Sequence, residues 1–310
     1  MKHTIWFLFL ILMISCEKER PHKSFFQGQA FGTTFSIQVY SINEIEFEKG
    51  IDSVLSLVNN SVSTYIPESD ISKINNGNTA IIVDDIFIDN FNISAEVYEN
   101  TGGFFDPTIG VLRNAYGFGD TNSIEEIDSL ALDSMMKFVG FNKVKLTSEN
   151  KIEKLYPEIY IDFNAVAKGY GIDLIGCYLD SKGVNNYLIE LGGEILAKGK
   201  NVEKNKSWLV GIENVNLNDK SFSSIIALED IAMATSGNYR KFRIDSLTGK
   251  KYVHTLNPIT GSASKSDITS ATVLASTCAL ADAYATAFMA LGLENSKVIL
   301  KNIDKIDVYF

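Results

Sequence analysis

The sequence predicts an α+β fold in which mixed and antiparallel sheets pack with helices, within a single domain of one lobe or two. Three observations predict it. Strand-like and helix-like segments follow one another without a regular β-α-β-α order, a run from Trp208 to Tyr252 alternates like a meander of antiparallel strands, and no Pro/Gly/Ser-rich linker divides the chain.

Taken in order, Phe25 to Tyr40 has strand character broken by Gly28 and Gly32. Ile45 to Val62 follows as a helix, with apolar residues at Ile51, Val54, Leu55 and Val58 spaced for one face. Further helices are expected over Phe87 to Asn100, ended by Gly102-Gly103, and over Ser129 to Val139. Strands are expected at Val144 to Leu146 and Ile159 to Phe163. A helix from Val166 to Lys182 stops at Gly183 and leads to a strand near Tyr187 to Leu191. The meander has short turns such as Thr248-Gly249, and Ser276 to Gly292 reads as a strongly apolar helix.

With 310 residues, 45% of them hydrophobic, the chain is long enough for a large core and is neither a disordered protein nor a small disulfide scaffold. Its 38 acidic against 28 basic residues leave a net charge of −10. No basic run lies outside the terminal turns, which argues against nucleic acid as a partner, since that needs positive charge to displace counterions. An anionic ligand must therefore be neutralised locally, by a metal, a helix N-terminus or one lysine.

The first residues read as a processing segment. Lys2 and His3 precede an apolar run, Ile5 to Ile14, of signal-peptide length and too short to span a bilayer. The run ends Leu12-Met13-Ile14-Ser15-Cys16, which resembles a bacterial lipobox with Met13 where Leu is usual. On that reading residues 1–15 are removed, Cys16 carries the lipid, residues 16–24 form a tether, and the protein is exported and lipid-anchored to a bacterial membrane, on the periplasmic side of the inner membrane or at the outer membrane. An ordinary signal peptide that happens to contain a cysteine is the other reading.

Cys177 and Cys278 have no second Cys or His near them, so neither reads as a metal ligand; they are two small buried hydrophobes or a pair. Of three histidines, His3 and His22 lie in the signal and tether, and His254 is the one imidazole of the folded body. Multi-histidine zinc sites are thereby excluded. Neither a phosphate loop of the G-x-x-x-x-G-K-[ST] type nor a G-x-G-x-x-G fingerprint is present.

What the chain has instead is a series of polar residues in small or apolar contexts. Asp282 and Thr286 stand four residues apart in the last apolar helix and so share a face. Two readings fit them. Carboxylate and hydroxyl oxygens suit Mg2+ with a phosphate-bearing ligand; alternatively, backbone amides satisfy the Asp and the Thr bonds back to its own helix.

In order along the chain, GTTFSI, STYIPESDISKIN, TGGFFDPTIG followed by GFG, DFNAVAKGYGID, LGGE, TSGNY, HTLNPITG and ADAYATAFMALG resemble the ApbE family, the FAD:protein FMN transferases. The resemblance runs from about Gly28 to about Gly292. It implies that residues 25–310 form a transferase domain of the ApbE type, that Mg2+ is needed, and that FMN passes from FAD to a Thr or Ser hydroxyl of an acceptor protein with release of AMP. The implied acceptor is an electron-transfer subunit. Metal ligands are implied at Asp282, Thr286 and the backbone carbonyl of Ala165. FAD-binding positions are implied at Phe31, Tyr65, Phe104, Phe105, Asp106, Lys168 and Leu256. The chemistry agrees: aromatic rings pack on flavin and adenine, Asp106 accepts from a base or ribose group, and Lys168 is a point charge for phosphate. Asn164 stands where the motif usually has Gly, and Asn257 where it has Asp.

For the proton of an attacking hydroxyl, His254 has the suitable ordinary pKa and sits in a loop of the kind that carries active sites. The resemblance implies the same role, and a histidine fixing the Asn257-Pro258 turn is the alternative. Two other functions share these residues: an FAD pyrophosphatase, with water in place of the hydroxyl, and a flavin-binding lipoprotein without chemistry.

Overall fold

The computed structural model of the chain describes residues 21–42, 46–120, 124, 127–215, 221–238, 242–244, 251–263 and 266–310. Cys16 and the segment before it, the Thr248-Gly249 turn and Tyr239 of the TSGNY motif lie outside these residues.

The chain begins with a hairpin of β1 (His22–Ala30) and β2 (Thr33–Ser41), so the first strand starts inside the segment read as tether. Its two-residue turn, Phe31-Gly32, has positive φ at both positions (50° and 73°), the pattern that matches strand twist. The helices α1 (Phe47–Val62), α2 (Asp70–Asn75), α3 (Asp85–Asn100), α4 (Gly110–Ala115) and α5 (Ser129–Met136) follow. Ser69, Asp84 and Asp128 cap α2, α3 and α5 by accepting from the third residue on, as short polar side chains do at helix starts.

A small hairpin, β3 (Val144–Leu146) with β4 (Ile152–Lys154), precedes α6 (Ala167–Ser181). Then come β5 (Asn186–Leu191), β6 (Glu194–Lys198), β7 (Trp208–Glu213), β8 (Phe222–Leu228), β9 (Ile231–Gly237), β10 (Phe242–Ile244), β11 (Lys251–Val253) and β12 (Ser270–Ala275). The chain closes with α7 (Cys278–Leu291), α8 (Leu293–Ile299) and β13 (Asp307–Tyr309).

Seven strands form one sheet in the order β1-β2-β5-β6-β9-β12-β13, antiparallel throughout. Its two faces separate by the period of two. Phe35, Ile37, Val39 and Ile189 face α1 and α6, and Ala271, Val273 and Ala275 continue that face toward α7. Tyr40, Ile195, Met233 and Leu274 face the other way, where Trp208 and Leu228 of the β7–β8 ribbon cover them. The expected α+β class, with antiparallel sheets and helices, is the observed one.

Helix α7 is buried on nearly every side, as its unbroken apolar composition requires. Cys278 is buried at its start and Cys177 is exposed on α6, so only the first fits the reading of small buried hydrophobes; both are free thiols.

The expected strand at Ile159 to Phe163 does not form. Ile159, Ile161 and Phe163 are buried, but the segment makes one isolated bridge, Tyr160 with Ile109. A side chain does the work of a neighbouring strand: Asn75 Oδ1 accepts from the Ile161 amide at 2.8 Å and its Nδ2 donates to the Ile161 carbonyl at 2.8 Å. Alternating apolar residues therefore produced a strand pattern without a strand partner.

Replacing Asn75 by alanine leaves a buried amide and a buried carbonyl of Ile161 unpaired, at about 1–3 kcal/mol for each such group. Asn75→Ala should lower the urea midpoint by an amount equivalent to about 2 kcal/mol or more with an unchanged slope; a midpoint equal to wild type would contradict the assigned role.

Candidate active site

A cavity of about 730 Å³ opens where the β1–β2 turn, the loops after α1, α3 and β11, and the starts of α6 and α7 converge. It is within the size range of small-molecule sites. All eleven residues singled out from the described part of the sequence line it. Phe31, Tyr65, Phe104, Phe105 and Asp106 come from the first half of the chain. Ala165, Lys168, His254, Leu256, Asp282 and Thr286 come from the second.

Local structure explains how each arrives. The strained turn at Phe31 lays its ring against Gly171 of α6, where a Cβ would come within 2.8 Å of the ring. Gly169 lets α6 touch α7: a Cβ there would lie 2.4 Å from the Cys278 carbonyl oxygen. The same junction is tied by Asp173, whose two oxygens accept from the amides of Cys278 and Ala279 at 2.8 and 2.9 Å. Negative charge at the first turn of α7 also suits the helix dipole. Burial pushes Asp173 up to about 6 against these two hydrogen bonds.

Asp282 is 4% exposed and accepts one hydrogen bond, from the Gly169 amide to Oδ2 at 3.2 Å. Burial raises its pKa, with Lys168 and the Gly169 amide opposing. One turn on, the Thr286 hydroxyl lies 3.3 Å from that of Ser236 at the end of β9.

Lys168 is not the free point charge expected. Its ammonium is in ion-pair contact with Glu194, which is 3% exposed. Burial lowers the lysine pKa, but the charges of Asp282 and Glu194 outweigh it and the pKa is raised. Burial and then Asp282 push Glu194 up, with Lys168 opposing. Two buried carboxylates thus share one lysine.

These residues fit a divalent cation. Asp282, Thr286 and Ala165 line one cavity and carry hard oxygen donors, and two buried carboxyl groups stand there against one ammonium. Among the described residues no group of three or more His, Cys, Asp or Glu could hold a metal.

At the other side of the cavity, Asp106 is committed locally: Oδ1 accepts from the Thr108 amide and hydroxyl at 2.7 and 2.6 Å, and Oδ2 from the Phe141 amide at 3.1 Å. What remains for a ligand is one lone pair on Oδ2. Leu256 is buried among Leu112, Tyr116 and Ala263, while Tyr65 is 57% exposed. Tyr65 accepts at 2.8 Å from Arg113, which also ion-pairs with Asp162. Its loop is closed by Asn164, which donates its amide and Nδ2 to Asp162 Oδ1 at 2.8 and 2.6 Å. His254 is half-buried just after β11.

A family model, that of the ApbE family, matches residues 31–310. The chain belongs to the ApbE family. It is 32% identical over 300 residues to the FAD:protein FMN transferase of Vibrio cholerae, across 94% of this chain and 87% of that protein. To the FAD:protein FMN transferase of Haemophilus influenzae it is 31% identical over 293 residues, across 90% and 84%. The solved structure of the flavin transferase ApbE from Vibrio cholerae matches with a TM-score of 0.83 at 30% identity, covering 93% of both chains. The ApbE protein of Thermotoga maritima matches with a TM-score of 0.80 at 26% identity, covering 93% of both.

The departures of this ApbE-family chain from the usual motif are structurally absorbed. Asn257 Oδ1 accepts from the Ile259 and Thr260 amides at 2.9 and 3.1 Å, so a neutral oxygen holds the turn. Glu194, Asp162 and Ser236 stand in the LGGE, DFNAVAKGYGID and TSGNY motifs but, like Arg113, received no role from the sequence. For the three charged residues the available signal was a charge among apolar or glycine neighbours, which needs a partner if buried.

Asp106 provides a pH test. Burial pushes its carboxyl up to about 6, with hydrogen bonds from Thr108 and Phe141 opposing. Its folded-state pKa is above the ordinary 3.8, so the folded state holds its proton more firmly. This contribution to stability is full below about pH 4 and is lost as pH rises to about 6, some 3 kcal/mol at 1.36 kcal/mol per unit. Asp106→Asn should remove that decline. Urea titrations at pH 4, 5, 6 and 7 should show the mutant-minus-wild-type stability rising with pH; a flat difference would contradict it.

Proposed function

We propose that the chain transfers FMN from FAD to a Thr or Ser hydroxyl of an acceptor protein and releases AMP, in a Mg2+-dependent reaction. The observation that carries this reading is the convergence of eleven resemblance-assigned residues, scattered from Phe31 to Thr286, on one cavity. The names of the relatives support it.

The aromatic group of Phe31, Phe104, Phe105 and Tyr65 offers ring faces for flavin and adenine. His254 takes the proton of the acceptor hydroxyl at its imidazole; the hydroxyl oxygen bonds to the FMN phosphorus, and the bond to the AMP oxygen breaks. Asp282, Thr286 and the Ala165 carbonyl would hold Mg2+, which would supply positive charge for the pyrophosphate and the leaving group. Asp282 is kept beside this site by the α6–α7 junction, so it needs no rearrangement when substrate binds. A protein acceptor from an electron-transfer complex fits an enzyme held at a membrane surface through Cys16. Among the described residues no helix is long and apolar enough to cross a membrane.

Incubation with FAD, Mg2+ and membranes, read by in-gel flavin fluorescence and intact mass of the labelled band, tests the reading. Covalent FMN on a protein with one AMP released per FMN attached is expected. FMN and AMP free in solution with no adduct would point to a pyrophosphatase. His254→Ala should lower transfer by about 10²–10⁴-fold with FAD affinity little changed, because a general base acts in the transition state. Loss of FAD binding in step with transfer would place His254 in the substrate pocket instead.

Cys16→Ala should release the protein from membranes or leave it unprocessed. Unchanged membrane fractionation of a correctly cleaved mutant would rule out the anchor.

A further inference from the structure

Glu194 has no part in the roles assigned above, yet it is one of the most buried charged side chains of the cavity. It opens β6 immediately after the Gly192-Gly193 turn, where both glycines have positive φ (64° and 107°). Its Oε2 receives no hydrogen bond within the described chain other than the contact with the Lys168 ammonium. The ammonium also feels the charge of Asp282, which in turn accepts from the neighbouring amide of Gly169. Lysine 168 therefore stands between two carboxylates and can neutralise only one.

Which one it neutralises decides what Asp282 can do. A carboxylate paired with a lysine has little charge left to attract a cation, whereas an unpaired one in a poorly solvated site attracts it strongly. The ion-pair contact goes to Glu194; Asp282 feels the Lys168 charge without such a contact, and among the described residues its one hydrogen-bond partner is the Gly169 amide.

We infer that Glu194 is a positioning residue that holds the Lys168 ammonium away from Asp282 and so leaves the Asp282 carboxylate out of ion-pair contact and available to a divalent cation. This inference rests on the metal reading of Asp282. It explains why a site for an anionic substrate carries a buried glutamate: the glutamate serves the metal by occupying the lysine. Without it, Lys168 and Asp282 would pair and compete with the cation for the same oxygen.

The test measures cation binding without FAD, using Mn2+ as the probe and electron paramagnetic resonance to count free ion. Glu194→Gln should weaken Mn2+ binding by about tenfold or more, the scale of one close unit charge at a partly buried site. Lys168→Met should tighten it severalfold, and the double variant E194Q/K168M should return to near the wild-type affinity. That return is not expected if Glu194 merely supports the fold, since a second core lesion would add to the first. Circular dichroism and thermal unfolding of each variant show whether it is folded. Equal Mn2+ affinity in wild type and E194Q, or a double variant as weak as E194Q, overturns the inference while leaving the metal reading intact. Absence of Mn2+ binding by the wild type overturns both.

Discussion

The contact on which the site depends is the close approach of α6 and α7. It exists because residue 169 has no side chain: the backbone of α7 occupies the place a Cβ would fill. At that distance Asp173 reaches the first amides of α7 and Gly169 reaches the Asp282 carboxylate. Two helices far apart in sequence are thus joined by three hydrogen bonds to carboxyl groups, at 2.8, 2.9 and 3.2 Å. Lys168, Glu194 and Asp282 are all attached to one of these helices or to β6, which packs beside them.

Buried charge is expensive unless paired, and here it is incompletely paired. Asp173 is satisfied by backbone amides and Glu194 by lysine, which leaves Asp282 with one amide. A folded protein tolerates such an imbalance where a ligand resolves it. The apolar body of α7 makes the imbalance sharper, because Asp282 is flanked along its helix by Ala281, Ala283, Ala285 and Phe288, all buried. The carboxylate is therefore poorly solvated, the condition under which the cation of the proposed reaction would interact with it strongly.

How much of this was legible in the sequence depended on the range of the interaction involved. Long amphipathic or apolar stretches such as α1, α3, α6 and α7 declared themselves, because a helix face repeats over many residues. Short elements such as α2, α4 and β12 did not, and Ile159 to Phe163 misled because the side chain of Asn75, 86 positions away, takes both backbone hydrogen bonds of Ile161. The site shows the same division. Asp282 and Thr286 were visible as a helix pair, and Phe31, Lys168 and His254 through ordered motifs. That Lys168 is already engaged was invisible, because its partner lies on a strand whose pairing only the fold determines. Equally invisible was that Asp106 already accepts three hydrogen bonds, from Thr108 and Phe141.

The strained turn at Phe31 completes the arrangement from the other side. A β-hairpin of this type accepts Asn or Gly at its first central position without strain, and a phenylalanine at φ 50° costs roughly 1–2 kcal/mol of backbone strain. Its ring rests on Gly171, two residues beyond Gly169 on α6, so the helix whose first turn meets α7 also carries the hairpin tip against its own side. One short segment, Lys168 to Gly171, thereby presents a charge toward Glu194, an amide toward Asp282 and a seat for an aromatic ring. The two glycines are what bring these neighbours close, and the ion pair is what keeps the charge among them from collapsing onto Asp282.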